Sequence, residues 1–408
     1  MFLKRFLDDE TRRLAPIATR SDEGIRLHDE PVLEVEYRTP FQHDRDRIIH
    51  CLAFKRMKEK TQVFAPEQSD HLRNRLSHTL EVTQLSRSVA RALALNEDLA
   101  EAISLGHDLG HSPFGHSGEA VLNNVLKQEI PIDHADPEAF QRTGGFKHNY
   151  QSVRIVDDLE KRYGDWDGLN LTDKVREGML KHTGTKGRLY NLMEYDGLSV
   201  DSPVSSPEAA IVAMTDEIAQ QCHDLEDGIR LKMASISQLK ETPVFDIEPF
   251  RIIVARGNGY DVMNDLIRTL FHVFMDNLIG NGVVHEEDGR FRFCFSPELE
   301  KAFAGLREFV YTRIIFSHSV ARSDHIARRV LRDLFNAFYN NPKLLPDYVL
   351  LRVSKNSNVP NLRYLTGGEQ KKTADKLKSC DKFIRVIADY IGGMTDSYAM
   401  KEYRKINP

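Results

Sequence analysis

Only four cysteines occur in these 408 residues, Cys51, Cys222, Cys294 and Cys380, and they form no CxxC pair and no framework spacing. That excludes a disulfide-stapled scaffold and points to reduced, structural thiols in a cytosolic protein. No apolar run approaches the roughly 20 residues of a membrane span, and Met1 to Glu10 lacks the apolar stretch of a signal peptide, so no membrane partner and a cytoplasmic location are expected. Neither sign of charge dominates: Lys and Arg number 56 against 61 Asp and Glu, a net charge of −5 that argues against a dedicated nucleic-acid coat. No period of roughly 20–50 residues repeats, no low-complexity tract interrupts the chain, and strand signal is sparse.

What remains is helical periodicity. Apolar spacing predicts helices over 42–58, 71–94, 97–107, 117–128, 149–162, 172–182, 207–232, 260–280, 297–316, 323–340 and 372–391. The best strand pair runs from Val283 to Phe295, with Asp288-Gly289 as its turn. The expected fold is mainly α with small β excursions. Pro243 to Pro249 marks a weak boundary between an N-terminal half that carries most of the histidines and a C-terminal helical half.

The densest chemistry lies between His107 and Glu119, where three histidines and two acids share thirteen positions with three glycines and a proline. A segment this polar buries little, so core packing does not account for it. His, Asp and Glu bind divalent metals and move protons near neutral pH. The His-Asp dipeptide alone is weak, because it occurs four times, at His28, His43, His107 and His223, where composition predicts about one.

Helical spacing decides among them. In the expected helix 71–94, Val82, Leu85 and Val89 form one stripe, and His78 joins it four residues before Val82. Leu99 and Ile103 put His107 on their line, and Val212 shares a face with Asp216. Polar side chains thus point inward from three helices, with Asp108 beside one of them. A buried carboxylate needs a partner, since its desolvation costs several kcal/mol. One divalent metal held by His78, His107, Asp108 and Asp216 would satisfy all four. Two His and two Asp suit Mn²⁺, Mg²⁺, Fe²⁺ or Co²⁺ better than a cysteine-based zinc site does, and a six-coordinate ion keeps positions for water and a phosphate oxygen.

The order His78, His107-Asp108, Asp216 resembles the HD superfamily of metal phosphohydrolases. Further motifs resemble its dGTPase-like branch: Arg38-Thr39-Pro40-Phe41, Asp44-Arg45-Asp46-Arg47-Ile48-Ile49-His50, Lys60-Thr61-Gln62-Val63-Phe64, Arg75-Leu76-Ser77-His78 and Gly106-His107-Asp108-Leu109-Gly110-His111. Phe146-Lys147-His148-Asn149-Tyr150-Gln151-Ser152, Asp224-Leu225-Glu226-Asp227-Gly228 and Gly393-Met394-Thr395-Asp396 extend the likeness to about Tyr398. The resemblance implies a helical HD-domain fold: an N-terminal arm (1–30), a phosphohydrolase core (31–242) and a C-terminal helical subdomain packed on it (243–408). It implies cleavage of deoxynucleoside triphosphates to deoxynucleoside and inorganic triphosphate by a homo-oligomer, a hexamer or tetramer, with a second nucleotide as activator. Carried over by position, His116 and Glu119 match a catalytic His/acid dyad in which Glu119 orients His116, and His148 a histidine near the leaving 5′-oxygen. His111 matches a phosphate-contacting histidine, Gln62 and Arg75 match residues on sugar and phosphate, and Asp224 matches the acceptor of the sugar 3′-hydroxyl.

Three positions depart from the family pattern. Gln220 stands where a tyrosine usually packs on the deoxyribose, which opens the question of deoxy against ribo selection. Glu217 replaces a frequent aspartate, and His43 a common arginine. Two other functions stay open: another HD phosphohydrolase such as a monophosphate nucleotidase, and a catalytically weak regulator that binds nucleotide or single-stranded DNA. The lysines that would serve the latter, Lys371, Lys372, Lys376, Lys378 and Lys382, are interleaved with Asp375 and Asp381 and read as a solvated helix face.

Overall fold

The computed structural model describes residues 2–30, 36–64, 71–183, 198, 204, 206–285 and 289–407. Its helices are α1 (Phe2–Arg13), α2 (Pro40–His50), α3 (Leu52–Arg56), α4 (Arg75–Ala92), α5 (Glu97–Gly106), α6 (Gly115–Leu126), α7 (Pro137–Gln141), α8 (His148–Arg154) and α9 (Asp173–Lys181). They continue with α10 (Pro207–Arg230), α11 (Glu248–Ala255), α12 (Tyr260–Asn281), α13 (Pro297–Val310), α14 (His318–Asn340), α15 (Asp347–Ser357), α16 (Gly367–Lys378), α17 (Asp381–Gly392) and α18 (Asp396–Ile406). Between α12 and α13, strands β1 (Val283–His285) and β2 (Phe291–Phe293) pair antiparallel, with Val283 opposite Phe293. This is the mainly α fold with a small β excursion that the periodicity predicts. Asp288 of the expected turn lies outside the described residues; Gly289 has a φ of +83°.

The helices that carry the inward-facing His and Asp residues start at defined caps. Asn74 accepts the Ser77 amide at 2.9 Å to open α4, and Ser206 accepts the Ala209 amide at 3.1 Å to open α10, with Pro207 in its first turn. Asn96 caps α5 by accepting from the amides of Asp98 and Leu99. Helix α4 packs on both α5 and α10, which also touch each other, and α5 packs on α2 and α9 as well. A Ser86–Thr215 hydroxyl contact of 2.6 Å pins α4 to α10 inside this layer.

Two apolar cores result. The larger joins α2, α4, α5, α9 and α10 to α11, α12 and α13, and so runs without a break across Pro243. The smaller is built by α6 and α7 against α14, α15, α17 and α18. The segment from His107 to Glu119 therefore leaves one core at the end of α5 and enters the other along α6.

Some boundaries differ from the periodic reading, for local reasons. The expected helix 42–58 divides at Cys51, whose extended backbone and thiol cap α3 by accepting the Phe54 amide. The expected helix 372–391 divides at Ser379-Cys380 into α16 and α17. Helices α11 and α15 were not anticipated: Pro249 in the first turn of α11 and Pro346 just before α15 begin helices, whereas the proline near residue 249 reads by eye as a boundary.

One contact in this frame admits no side chain. The Gly110 amide donates to Ser152 Oγ at 2.8 Å, and that hydroxyl donates to the His107 carbonyl at 2.8 Å, so the turn after α5 lies directly on α8. A Cβ at Gly110 would come within 2.1 Å of the His148 carbonyl oxygen and 2.3 Å of the Ser152 nitrogen. Gly110→Ala is therefore expected to lower stability by about 1–3 kcal/mol, the usual range for overpacking, read as a shift in the urea or thermal midpoint. An unchanged midpoint would refute the close approach.

Candidate active site

The three helices α4, α5 and α10 bring His78, His107, Asp108 and Asp216 together, as their stripes predict. His78 Nε2 lies 2.9 Å from Asp216 Oδ1, and His107 Nε2 lies 3.5 Å from both Asp216 Oδ1 and Asp108 Oδ1. The outer nitrogens fix which ring atoms carry protons. His107 Nδ1 faces the Ser104 carbonyl at 2.6 Å, an acceptor, so it must donate and Nε2 keeps its lone pair. His223 Nε2 donates to Glu81 at 2.7 Å, which makes its Nδ1 the acceptor for His78 Nδ1–H at 3.0 Å and leaves His78 Nε2 with a lone pair as well. Two imidazole lone pairs and two carboxylates thus converge with no proton assigned between them, and the buried His107 Nε2 has no hydrogen-bond partner.

That arrangement demands positive charge, and the electrostatics say the same. Burial alone would lower the His107 pKa, yet Asp108 and Asp216 outweigh it and push it up to about 9. Burial raises the Asp108 and Asp216 carboxyls, but His107, His111 and Arg75 around the first and His107 and His78 around the second hold both well below the usual carboxylate range. The donor set fits a divalent metal held by His78, His107, Asp108 and Asp216, with His223 and Glu81 orienting His78 behind it.

Beside this centre lies a face of buried polar groups with open hydrogen-bonding positions. Arg75, 1% exposed, donates from Nη1 to Asp108 Oδ2 at 2.7 Å, while its Nε and Nη2 find no partner among the described residues. His111 Nε2 sits 3.1 Å from Asp108 Oδ1, and its Nδ1 is likewise unpartnered, as is the Gln62 Oε1. Buried donors and acceptors left open in this way cost about 1–3 kcal/mol each unless something binds them. Asp224 is buried on α10, one face with Asp216 and Gln220. Burial and the neighbouring Asp227 raise its carboxyl well above the usual range, against the pull of Arg75 and Arg73. Gln220 is half-buried between those two acids.

A third group surrounds Glu119. Its carboxylate accepts from His148 Nδ1 at 2.5 Å and from the His148 amide at 3.2 Å. The expectation that Glu119 orients His116 is thereby revised: its hydrogen bonds go to His148, which α8 presents amide and ring together. His116 instead stands edge-on to the His111 ring at 5.1 Å, with His148 stacked on the other side of His111 at 3.9 Å. Its outer edge is open, and the protein packed around it, with the Arg75 guanidinium, lowers its pKa.

His148 Nε2 faces His182 Nε2 at 3.1 Å, and His182 Nδ1 donates to the Met179 carbonyl at 2.7 Å. With both Nδ1 atoms committed as donors, the Nε2 pair requires one extra proton between them. Burial pushes the His182 pKa down to about 3, which makes that ring the poorer place for a proton. Glu119 itself is lowered by His148 despite its burial.

Three participants escape the motif reading: His182, His223 and Glu81. His223 belongs to a His-Asp dipeptide, and Glu81 follows His78 by three residues, the spacing of one helical face. His182 ends α9, and nothing local marks it. The chain also turns unusually before α6: Phe114 adopts a left-handed conformation, φ +63°, which costs a non-glycine residue about 1–3 kcal/mol and is held only where neighbours enforce it.

Known proteins resemble this chain along most of its length. The HD domain family matches residues 75–220, which include all four candidate ligands, and a phosphohydrolase-associated domain matches 293–366 and 369–405. A deoxyguanosinetriphosphate triphosphohydrolase-like protein of Ralstonia pickettii is 37% identical over 407 residues, covering 96% of this chain and 94% of that protein. Proteins of the same description from Thiobacillus denitrificans and Brucella suis are each 36% identical, the former over 96% of both chains, the latter over 92% of this chain and 91% of its own. No helix among the described residues is long and apolar enough to cross a membrane. The chain belongs to the HD-domain phosphohydrolases, in the group of deoxyguanosinetriphosphate triphosphohydrolase-like proteins.

Proposed function

We propose that this protein hydrolyses deoxynucleoside triphosphates to deoxynucleoside and inorganic triphosphate, with water attacking the α-phosphorus. The observation that carries the reading is the buried Arg75 guanidinium with two open N–H groups, set between the four-residue metal centre and the Glu119–His148 pair. A divalent cation held by His78, His107, Asp108 and Asp216 supplies charge neutralisation at the phosphate and acidifies water, and Mn²⁺, Mg²⁺, Fe²⁺ or Co²⁺ suits the N/O donors.

The chain's own groups divide the remaining work. Arg75 holds phosphate oxygens through its two open nitrogens, where a planar guanidinium gives directed charge-assisted bonds, and the His111 Nδ1, left a lone pair by the Nε2–H that faces Asp108, accepts from a water or a protonated oxygen beside them. Gln62 and the Asp224 carboxyl, which burial raises well above the usual range, meet the sugar hydroxyls. His148, oriented by Glu119 through Nδ1, is the group placed to protonate a departing 5′-oxygen. His116, open to solvent at the mouth of the same cluster, passes protons between that group and water.

The direct test is product analysis. Purified protein with Mn²⁺ is incubated with each dNTP and NTP, and phosphate products are separated by ion chromatography or ³¹P NMR. Inorganic triphosphate with deoxynucleoside is the expected result, and the dNTP/NTP rate ratio measures what Gln220 does to sugar selection; monophosphate release or no cleavage overturns the reading.

Two variants examine the parts. Asp108→Ala is expected to abolish turnover and bound divalent metal, measured by elemental analysis, while far-UV circular dichroism keeps its helical shape. Retained metal would contradict the ligand assignment. His116→Ala is expected to bind metal and substrate as before but to turn over about 10²–10⁴-fold more slowly. An unaltered kcat would remove His116 from the proton path.

A further inference from the structure

The site residues come from two bodies of the chain: Gln62, Arg75 and His78 from the segment that enters α4, and His111, His116 and Glu119 from the segment that enters α6. Neither is tied to the other by secondary structure. Residues far away in sequence bridge them. Asp396, the first residue of α18, accepts the Phe114 amide at 2.9 Å through Oδ1, and through Oδ2 it accepts the Thr61 amide at 3.0 Å together with the Thr61 hydroxyl. Beside it the buried Lys60 ammonium donates to the His111 carbonyl and, at 3.1 Å, to the Gly392 carbonyl.

Each contact lands on a point that sets a site residue. Thr61 pairs across a β-bridge with Asn74, the cap of α4, and the Arg75 amide donates to the Lys60 carbonyl at 3.2 Å. Phe114 is the left-handed residue that turns the chain into α6, whose first residue, Gly115, fits because it has no side chain: a Cβ there would come within 2.8 Å of the Gln62 carbonyl oxygen. A carboxylate suits this position because it must accept on both oxygens at once and also begins a helix, where negative charge is favoured.

We infer that Asp396, with Lys60, is a positioning pair for the reaction, through which the turn from Gly392 to Asp396 locks the His111–Glu119 segment in register with Gln62 and Arg75. Helix α18 thus completes the site without touching the substrate. The inference rests on the reading of His116 and Glu119 as the groups that move protons.

The test uses the full-length protein and two variants. Asp396→Asn places an NH₂ where one set of donors expects an acceptor; Thr61→Val, nearly isosteric, removes only the hydroxyl bond and keeps the question open should Asp396→Asn fold poorly. Steady-state kinetics with Mn²⁺ and the best dNTP are read beside hydrogen exchange followed by mass spectrometry. Asp396→Asn is expected to lower kcat at least tenfold with KM within about twofold, and Thr61→Val to lower it less. Peptides covering residues 111–118 should exchange faster in both, with α4 and α10 unchanged. Unaltered exchange at 111–118, or a kcat loss matched by a loss of folded protein in both variants, overturns the inference. Faster exchange at 111–118 in a protein whose wild type cleaves no nucleotide would support the clamp and defeat the triphosphohydrolase reading, so the two are separable.

Discussion

Everything at this site depends on keeping the Asp108 carboxylate ionised inside the protein. Desolvation opposes it, and only neighbours within bonding distance reverse that opposition. Arg75 reaches one oxygen at 2.7 Å, while His111 and His107 approach the other at 3.1 and 3.5 Å. Arg75 and His111 carry open nitrogens beside the centre, and His107 belongs to the His/Asp cluster itself. Asp108 is consequently the position at which these groups meet. It can satisfy them because it sits just past the end of α5, where the chain has left the helix and the following glycine lets α8 close over it.

The second constraint is directional. An imidazole is a ligand through whichever nitrogen its other bond leaves free. The carbonyl of Ser104 does this for His107, and a chain of bonds from Glu81 through His223 does it for His78. A third histidine pair, His148 and His182, is arranged to the opposite end: both outer nitrogens donate, so the inner contact holds a proton instead of excluding one. The same side chain type is thus left with a free lone pair in one place and a shared proton in the other, by the identity of the atom on its far side. Glu119 is held well below the ordinary carboxylate range by His148 despite its burial.

How much of this was legible follows from the range of the interactions. His78, His107 and Asp216 lie on apolar stripes of long helices, so period alone placed them inward, and Asp108 came with His107. The helical class was equally plain, since local spacing determines it. Pairings across the fold were not. Glu119 and His116 are three apart and invited each other, but α8 delivers His148 to Glu119 through both ring and amide, and two bonds outweigh one. His182 carries no local signature, because its role exists only where α9 meets α8. Helix starts at Pro249 and after Pro346 were missed for a simpler reason: proline both ends one helix and begins the next, and periodicity over short segments does not separate the cases.

The position of the C-terminal helices follows from the same logic. A loop and helix start that supply His111, His116 and Glu119 must be polar to work and so contribute little apolar burial of their own. It also contains a left-handed phenylalanine, a conformation that relaxes unless something holds it. Burial of α6 against α14 and α17 fixes one end of the segment, and Asp108 fixes the other. The middle, from Ser112 to Phe114, is reached by Asp396 and by the Lys60 bond at His111. A charged, hydrogen-bonded bridge suits that middle better than an apolar one would, because it specifies a direction at each amide without bringing greasy surface up to a phosphate. The second core thereby acts on the chemistry through a few polar bonds at its edge, and the helices that form it are part of the site's geometry even though no atom of theirs belongs to the metal centre.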